Sequence, residues 1–236
     1  MGDYTNMSDY YDVIMTSGYY DYPQIVDQLL KGQTGQRVLE IGCGTGLILE
    51  ELAKRQSQAV ISGIDLTEAM LKIAQERLKP YQNVSLSQQN VCYLNLPQQH
   101  DLAFSYGGVW YFVIDGDKEP FMVSHIPDHQ ANCQGLERVA QYIASGGTLL
   151  LGIQGPHHDY AKPISNGMVY SQKIEPHADG FTKHYFLNDG EQRLMAQTIQ
   201  YRTYSFEQAM DMMGAYGIAY APQENRGNLF LGFKKA

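Results

Sequence analysis

The sequence is short of several things. It has three cysteines in 236 residues, Cys43, Cys92 and Cys133, an odd number set far apart. That supports neither a disulfide framework nor a four-ligand zinc site, and a reducing cytoplasm is the default expectation. No stretch approaches the roughly 20 consecutive apolar residues of a membrane span. The first residues, MGDYTNMSDYYD, are acidic and lack the apolar run of a secretory signal. Positive charge is scarce: Lys+Arg total 17 against Asp+Glu 25, a formal net charge of −8. A passive grip on nucleic acid or anionic lipid needs a basic face, so neither partner is expected. Long charge runs, low-complexity tracts and repeats are also absent. One globular domain over 1–236 is the expectation. Tyrosine, in contrast, is abundant. There are 18, and Tyr4, Tyr10, Tyr11, Tyr19, Tyr20 and Tyr22 fall before the first strand-like segment. Each buries a large ring and still offers a hydroxyl.

Periodicity predicts two helical pieces over 8–31 around Gly18, ended by Gly32 and Gly35. Val38, Leu39 and Ile41 make the short apolar run of a buried parallel strand. A helix from Leu47, a strand over 59–65, a helix from Thr67 stopped by Pro80, and strands near 83–89 and 101–106 follow. A helix over 129–144 capped by Asp128 leads to a fifth buried strand, TLLLGI. This alternation indicates an α/β doubly wound sheet. It stops after Ile153. Asp179-Gly180 and Asp189-Gly190 are hairpin signals, so 155–204 reads as an inserted antiparallel β lid. A helix capped by Ser205 and a final hairpin close the chain.

The strongest local signal is Glu40-Ile41-Gly42-Cys43-Gly44-Thr45-Gly46 between a strand and a helix. Glycines let the backbone turn sharply and let a ligand approach without a Cβ clash. The loop sits at a strand's carboxyl end, where open α/β sheets bind ligands. A dinucleotide fingerprint wants glycine at position 47, where this chain has Leu47, and the Walker lysine is missing. A nicotinamide oxidoreductase is therefore the weaker alternative. Glu40 suits an amino-bearing or cationic ligand rather than pyrophosphate. Asp65, ending the second strand, can accept both hydroxyls of a ribose.

Glu40, the GxGxG loop and Asp65 at this spacing resemble the class I S-adenosylmethionine-dependent methyltransferases, over roughly residues 10–235. The resemblance implies a Rossmann-like, seven-stranded, mostly parallel sheet with an antiparallel C-terminal strand. It implies S-adenosyl-L-methionine as cofactor and S-adenosyl-L-homocysteine as product, with no metal. Gly42, Cys43, Gly44 and Gly46 would run under the methionine part, with backbone atoms of Gly42 and Cys43 contacting its amino and carboxylate groups. Asp65 would hold the ribose, and Leu66 and Met70 would line the adenine. Asn90 stands where the family often has Asp and still offers a carbonyl acceptor, with Val91 giving its backbone N–H. Ser105 and Tyr106 would lie near the sulfonium.

FSYGGVWYF lacks the prolines of base-amino methyltransferases of nucleic acid. The long N-terminal segment and the insertion look instead like small-molecule methyltransferases, with the amino-sugar and glycine N-methyltransferase layout. Residues 1–35 would form a helical cover bearing Tyr11 and Tyr20 over the cofactor. The implied function is methyl transfer to N or O of a small molecule, in specialised natural-product metabolism. A non-catalytic S-adenosylmethionine-binding partner subunit is the alternative of a different class. His157 and His158, after the fifth strand, are candidate bases, with Tyr11 a third candidate at the reacting groups. Trp110 and Tyr111 are candidate walls of the acceptor pocket. His125 and His129 are four apart, but Pro127 between them breaks helical metal geometry. The acceptor's identity and the oligomeric state are not encoded in any motif.

Overall fold

In the computed structural model, residues 2–31 and 37–236 are described; Gly32 and Gly35, the expected end of the helical segment, lie outside them. In chain order the elements are α1 (Ser8–Met15), α2 (Tyr22–Leu30), β1 (Arg37–Ile41), α3 (Leu47–Arg55), β2 (Val60–Asp65), α4 (Glu68–Leu78), β3 (Val84–Gln88) and β4 (His100–Ser105). Then come β5 (Trp110–Val113), β6 (Phe121–Ser124), α5 (His129–Gln141), β7 (Ile143–Gln154), β8 (Tyr160–Pro163) and β9 (Val169–His177). Finally there are β10 (Gly180–Asp189), β11 (Gln192–Ser205), α6 (Phe206–Gly214), β12 (Ile218–Tyr220) and β13 (Phe230–Lys235).

Seven strands make the expected sheet, in the order β3-β2-β1-β4-β7-β13-β12. The first five run parallel and β13 runs antiparallel to β7. The apolar runs that predict these strands are buried on both faces. Val38, Leu102 and Leu150 pack with α2, α3 and α4 on one side. Leu39, Ala103 and Leu149, their chain neighbours, pack with α5 and α6 on the other. Each fully buried leucine contributes about 1.5–3 kcal/mol. Side chains finish the helix ends. Asp128 accepts the Ala131 N–H at 2.7 Å at the start of α5. Ser205 and Gln208 form a reciprocal capping box on α6. Such caps stabilise by about 1 kcal/mol each.

A second, antiparallel set, β5-β6-β11-β10-β9-β8, grows from the same sheet. The long strand β7 joins the two. Its stretch Thr148–Leu151 pairs with β4, and Gly152, Ile153 and Gln154 pair with β5. The Asp179-Gly180 and Asp189-Gly190 turns fall where expected, between β9, β10 and β11. The set also takes in residues 110–124, which the sequence reading left out. The reason is that Trp110–Val113 is buried on both faces, so the polar alternation that marks a hairpin is missing. Helix α1 packs on this antiparallel set, through Ile14 and Met15 against residues such as Tyr170, Tyr185 and Leu187. Among the described residues, no helix is long and apolar enough to cross a membrane.

Candidate active site

The carboxyl ends of β1, β2, β4 and β7 meet the inner face of the antiparallel strands around a cavity of about 950 Å³, counting its open mouth. The turn after β1 begins with Gly42 at φ 79°, a left-handed conformation that favours glycine. A Cβ there would stand 3.0 Å from Gly108 Cα, so the two glycine segments approach backbone to backbone. The N–H groups of Gly42 and Cys43 both donate to the Ile64 carbonyl, at 2.8 and 2.9 Å. They tie the loop to β2, which leaves the Gly42 carbonyl, rather than these N–H groups, as the atom available to a ligand's amino group. The carboxylate of Asp65 accepts the Gly44 N–H and the Thr67 N–H, both at 2.8 Å. Burial pushes its pKa up, and these backbone donors oppose the shift.

Asp65, Leu66, Met70, Val91, Gly42 and Gly44 all line the cavity. Gln89 joins them, a residue the sequence reading missed. Asn90 does not. Its Oδ1 accepts the Cys92 N–H at 2.9 Å and caps the short turn Val91–Tyr93. Glu40, Cys43, Gly46, Ser105 and Tyr106 stand behind the wall rather than in it. Gly46 faces α4, where a Cβ would meet Leu78 at 2.9 Å. Glu40 is buried with Oε2 unpartnered, and burial drives its carboxyl pKa well above the usual range. Ser105 Oγ is also buried without a partner.

The N-terminal segment roofs this half. Tyr11 lies over Gly44, its hydroxyl 3.9 Å from where a Cβ would be. Asp12, the next residue, accepts from the Thr45 hydroxyl at 2.6 Å and pairs with Arg77 of α4. The Tyr20 hydroxyl accepts from Gln154 Nε2 at 3.1 Å. The Gly2 N–H donates to the His125 carbonyl at 2.9 Å, and Gly2 itself lines the cavity.

The far half is built of side chains. His125 Nε2 and the Tyr4 hydroxyl share a hydrogen bond of 3.0 Å. Tyr4 continues to the Tyr201 hydroxyl at 2.9 Å, and Tyr201 to Tyr185 at 2.7 Å. Burial lowers the His125 pKa to about 3, so its ring is neutral at physiological pH. Burial raises the pKa values of all three tyrosines and keeps them protonated. Tyr111 and Lys183 complete the wall. Trp110, by contrast, turns into the core between the sheet and α5, where its Nε1–H donates to Asn132 at 2.8 Å. Adjacent residues of one strand face opposite ways, so Trp110 and Tyr111 cannot both line one cavity. His157 is also outside the lining. It packs on Tyr111 and Phe181, shares a 3.2 Å hydrogen bond with Gln154, and burial lowers its pKa to about 3. His158 is exposed, with its ring on the Pro156 carbonyl at 3.3 Å. Neither candidate base reaches the cavity, whereas His125 does. His129 is exposed at the start of α5. Among the described residues no three metal-ligating side chains stand together.

The fold is that of the class I S-adenosylmethionine-dependent methyltransferases. The CcbJ methyltransferase of Streptomyces caelestis superposes at a TM-score of 0.72 and 15% identity, covering 100% of this chain and 98% of that one. An S-adenosylmethionine-bound amino pentose methyltransferase of Micromonospora echinaspora, from calicheamicin biosynthesis, superposes at 0.63 and 16% identity, covering 96% of both chains. Within that fold, residues 38–141 match the family of methyltransferase domains. The malonyl-[acyl-carrier protein] O-methyltransferase of Bacillus cereus is 36% identical over 69 residues, 29% of this chain and 25% of that protein. The chain spans 25% to 37% of the length of several curated relatives that it matches. The residues present fit S-adenosylmethionine. Asp65 lines the cavity beside Leu66 and Met70, the Gly42 and Gly44 backbone lines it without side chains, and Glu40 keeps a buried oxygen unpartnered.

Proposed function

We propose that this chain is an enzyme that transfers a methyl group from S-adenosylmethionine to N or O of a small-molecule acceptor. One observation carries the reading: a single cavity joins the Gly42–Asp65 end to a chamber walled by Tyr4, His125, Lys183 and Tyr201. A binding subunit without turnover has no use for the second chamber. Bound at the first end, S-adenosylmethionine supplies a methyl on a positively charged sulfur. Asp65, with Tyr11 and Tyr20 above, fixes its position. The antiparallel strands and residues 2–22 form a lid and cover that exclude water and hold the acceptor in line, the main source of rate in such a displacement. An acceptor that must lose a proton meets the Tyr4 hydroxyl, which is hydrogen-bonded to the neutral ring of His125 and to the Tyr201 hydroxyl. His125, rather than His157 or His158, is the histidine that faces the chamber, and its neutral ring orients the Tyr4 hydroxyl. The likeness to an amino pentose methyltransferase of a biosynthetic route supports, at the level of fold, a place in natural-product metabolism.

The test is calorimetry with S-adenosylmethionine, S-adenosylhomocysteine and NAD, followed by a product screen over amines, phenols and carboxylic acids. The sulfur compounds are expected to bind and NAD is not. Binding of NAD alone would return the chain to the nicotinamide alternative. Binding of the sulfur compounds without any methylated product across the screen would favour the partner subunit.

A further inference from the structure

The inward face of β10 repeats Phe181, Lys183, Tyr185 and Leu187, all buried. Its neighbours in register on β11 are Tyr201, Ile199, Gln197 and Met195. Lys183 is the one cation on this face. It is 3% exposed, and no carboxylate among the described residues pairs with its ammonium. Two aromatic rings are what lies near it. Its Nζ is 5.6 Å from the Phe181 ring centre and 5.5 Å from that of Tyr201. A buried ammonium without a counter-ion is costly, and a purely structural site would be met by an apolar residue. The titratable groups facing it are His125 and His157, both neutral, and the protonated tyrosines. Asp65 lines the same cavity, but its oxygens are held by Gly44 and Thr67 at the other end. No counter-ion for the charged form of Lys183 stands among the described residues, and the cavity it lines is open to one from outside.

We propose that Lys183 is the acceptor-recognition residue, and that the acceptor carries an oxyanion, carboxylate or phosphonate, seated against its ammonium. This rests on the reading of the cavity as an acceptor chamber. Lys183 is the only Lys or Arg among the described lining residues, which suits one anionic group rather than a polyphosphate. Tyr201, Tyr111 and Tyr170, which line the same chamber, suit an aromatic or otherwise apolar body. Burial lowers the Lys183 pKa to about 7, so an oxyanion would also restore its full charge at neutral pH.

The experiment titrates three probes of one shape, benzoate, phenylphosphonate and benzamide, into protein saturated with S-adenosylhomocysteine. One or both anions are expected to bind about tenfold or more tighter than benzamide. That preference should vanish in Lys183→Met and survive in Lys183→Arg. Benzoate against phenylphosphonate separates the two sources of the charge. Equal binding of all three probes, or a preference that persists in Lys183→Met, would overturn the proposal. So would a tenfold loss of S-adenosylhomocysteine affinity in Lys183→Met, which would place the ammonium on the cofactor instead. Should the wild type not bind S-adenosylhomocysteine, the methyltransferase reading fails. The same probes on the unloaded protein then decide Lys183 by the same criteria. Should Lys183→Met fail to fold, the wild-type preference for anion over benzamide decides.

Discussion

The two ends of the cavity are made in different ways. The Gly42–Asp65 end is made of backbone: glycines in close approach, main-chain N–H groups on one carboxylate, and a strand-loop-helix path that is continuous in sequence. The end under the antiparallel strands is made of side chains whose hydroxyls meet across the whole chain, Tyr4 with Tyr201 being 197 residues apart. A backbone site can serve one ligand common to many proteins, because it tolerates change in most side chains around it. A site of converging side chains is specific to its own ligand and carries no local motif.

Substitutions that damage one end should leave the other intact, and the clearest break is at Asp65. Asp65→Ala removes the acceptor of the Gly44 and Thr67 N–H groups and the expected ribose contact. S-adenosylhomocysteine affinity by calorimetry should fall about a hundredfold or more, near 3 kcal/mol. At the other end, Tyr4→Phe cuts the link between His125 and Tyr201. Turnover should fall roughly tenfold to a hundredfold while S-adenosylhomocysteine affinity stays within twofold. Equal loss of both would erase the division. Gly63→Ala probes the packing behind the glycine loop, since its Cβ would lie 2.5 Å from Leu49 and 2.8 Å from Leu86. A stability loss of about 1–3 kcal/mol is expected in urea unfolding.

Acid should act mainly through the far end. His125 and His157 titrate near 6.5 when unfolded and about 3 when folded. Below 6.5 the unfolded chain binds protons that the folded chain refuses, so stability falls as pH drops from 6.5 towards 3. Replacing His125 by Gln should flatten that slope in a Tm series. Trp110→Phe should have the smallest functional effect. It costs a buried hydrogen bond, about 1 kcal/mol of stability, and leaves turnover unchanged. A fall in turnover would put Trp110 back against the acceptor.

Much of the first end was legible from sequence. Val38–Ile41, the glycine pattern, Asp65, Leu66 and Met70 are local, and each structural demand is met within a few residues. Asn90 misled because its carbonyl serves its own turn, a use that residue identity does not reveal. The second end was largely illegible. Pro127 rules out a helical metal pair of His125 and His129, but it says nothing about which way the ring of His125 turns. His157 and His158 sit at the right place in the chain, but Gln154 and Tyr111 stand between His157 and the cavity. Lys183 did leave a sign. It falls in phase with Phe181, Tyr185 and Leu187, the positions a strand buries.

The Gly2 contact has a practical bearing on how the protein is handled. Any purification tag joined ahead of Gly2 would emerge beside His125, at the wall of the chamber. β13 runs antiparallel to β7, so Lys235 lies at the opposite end of the strands from the cavity. An affinity handle placed after Ala236 is therefore expected to disturb the chamber less than one joined ahead of Gly2.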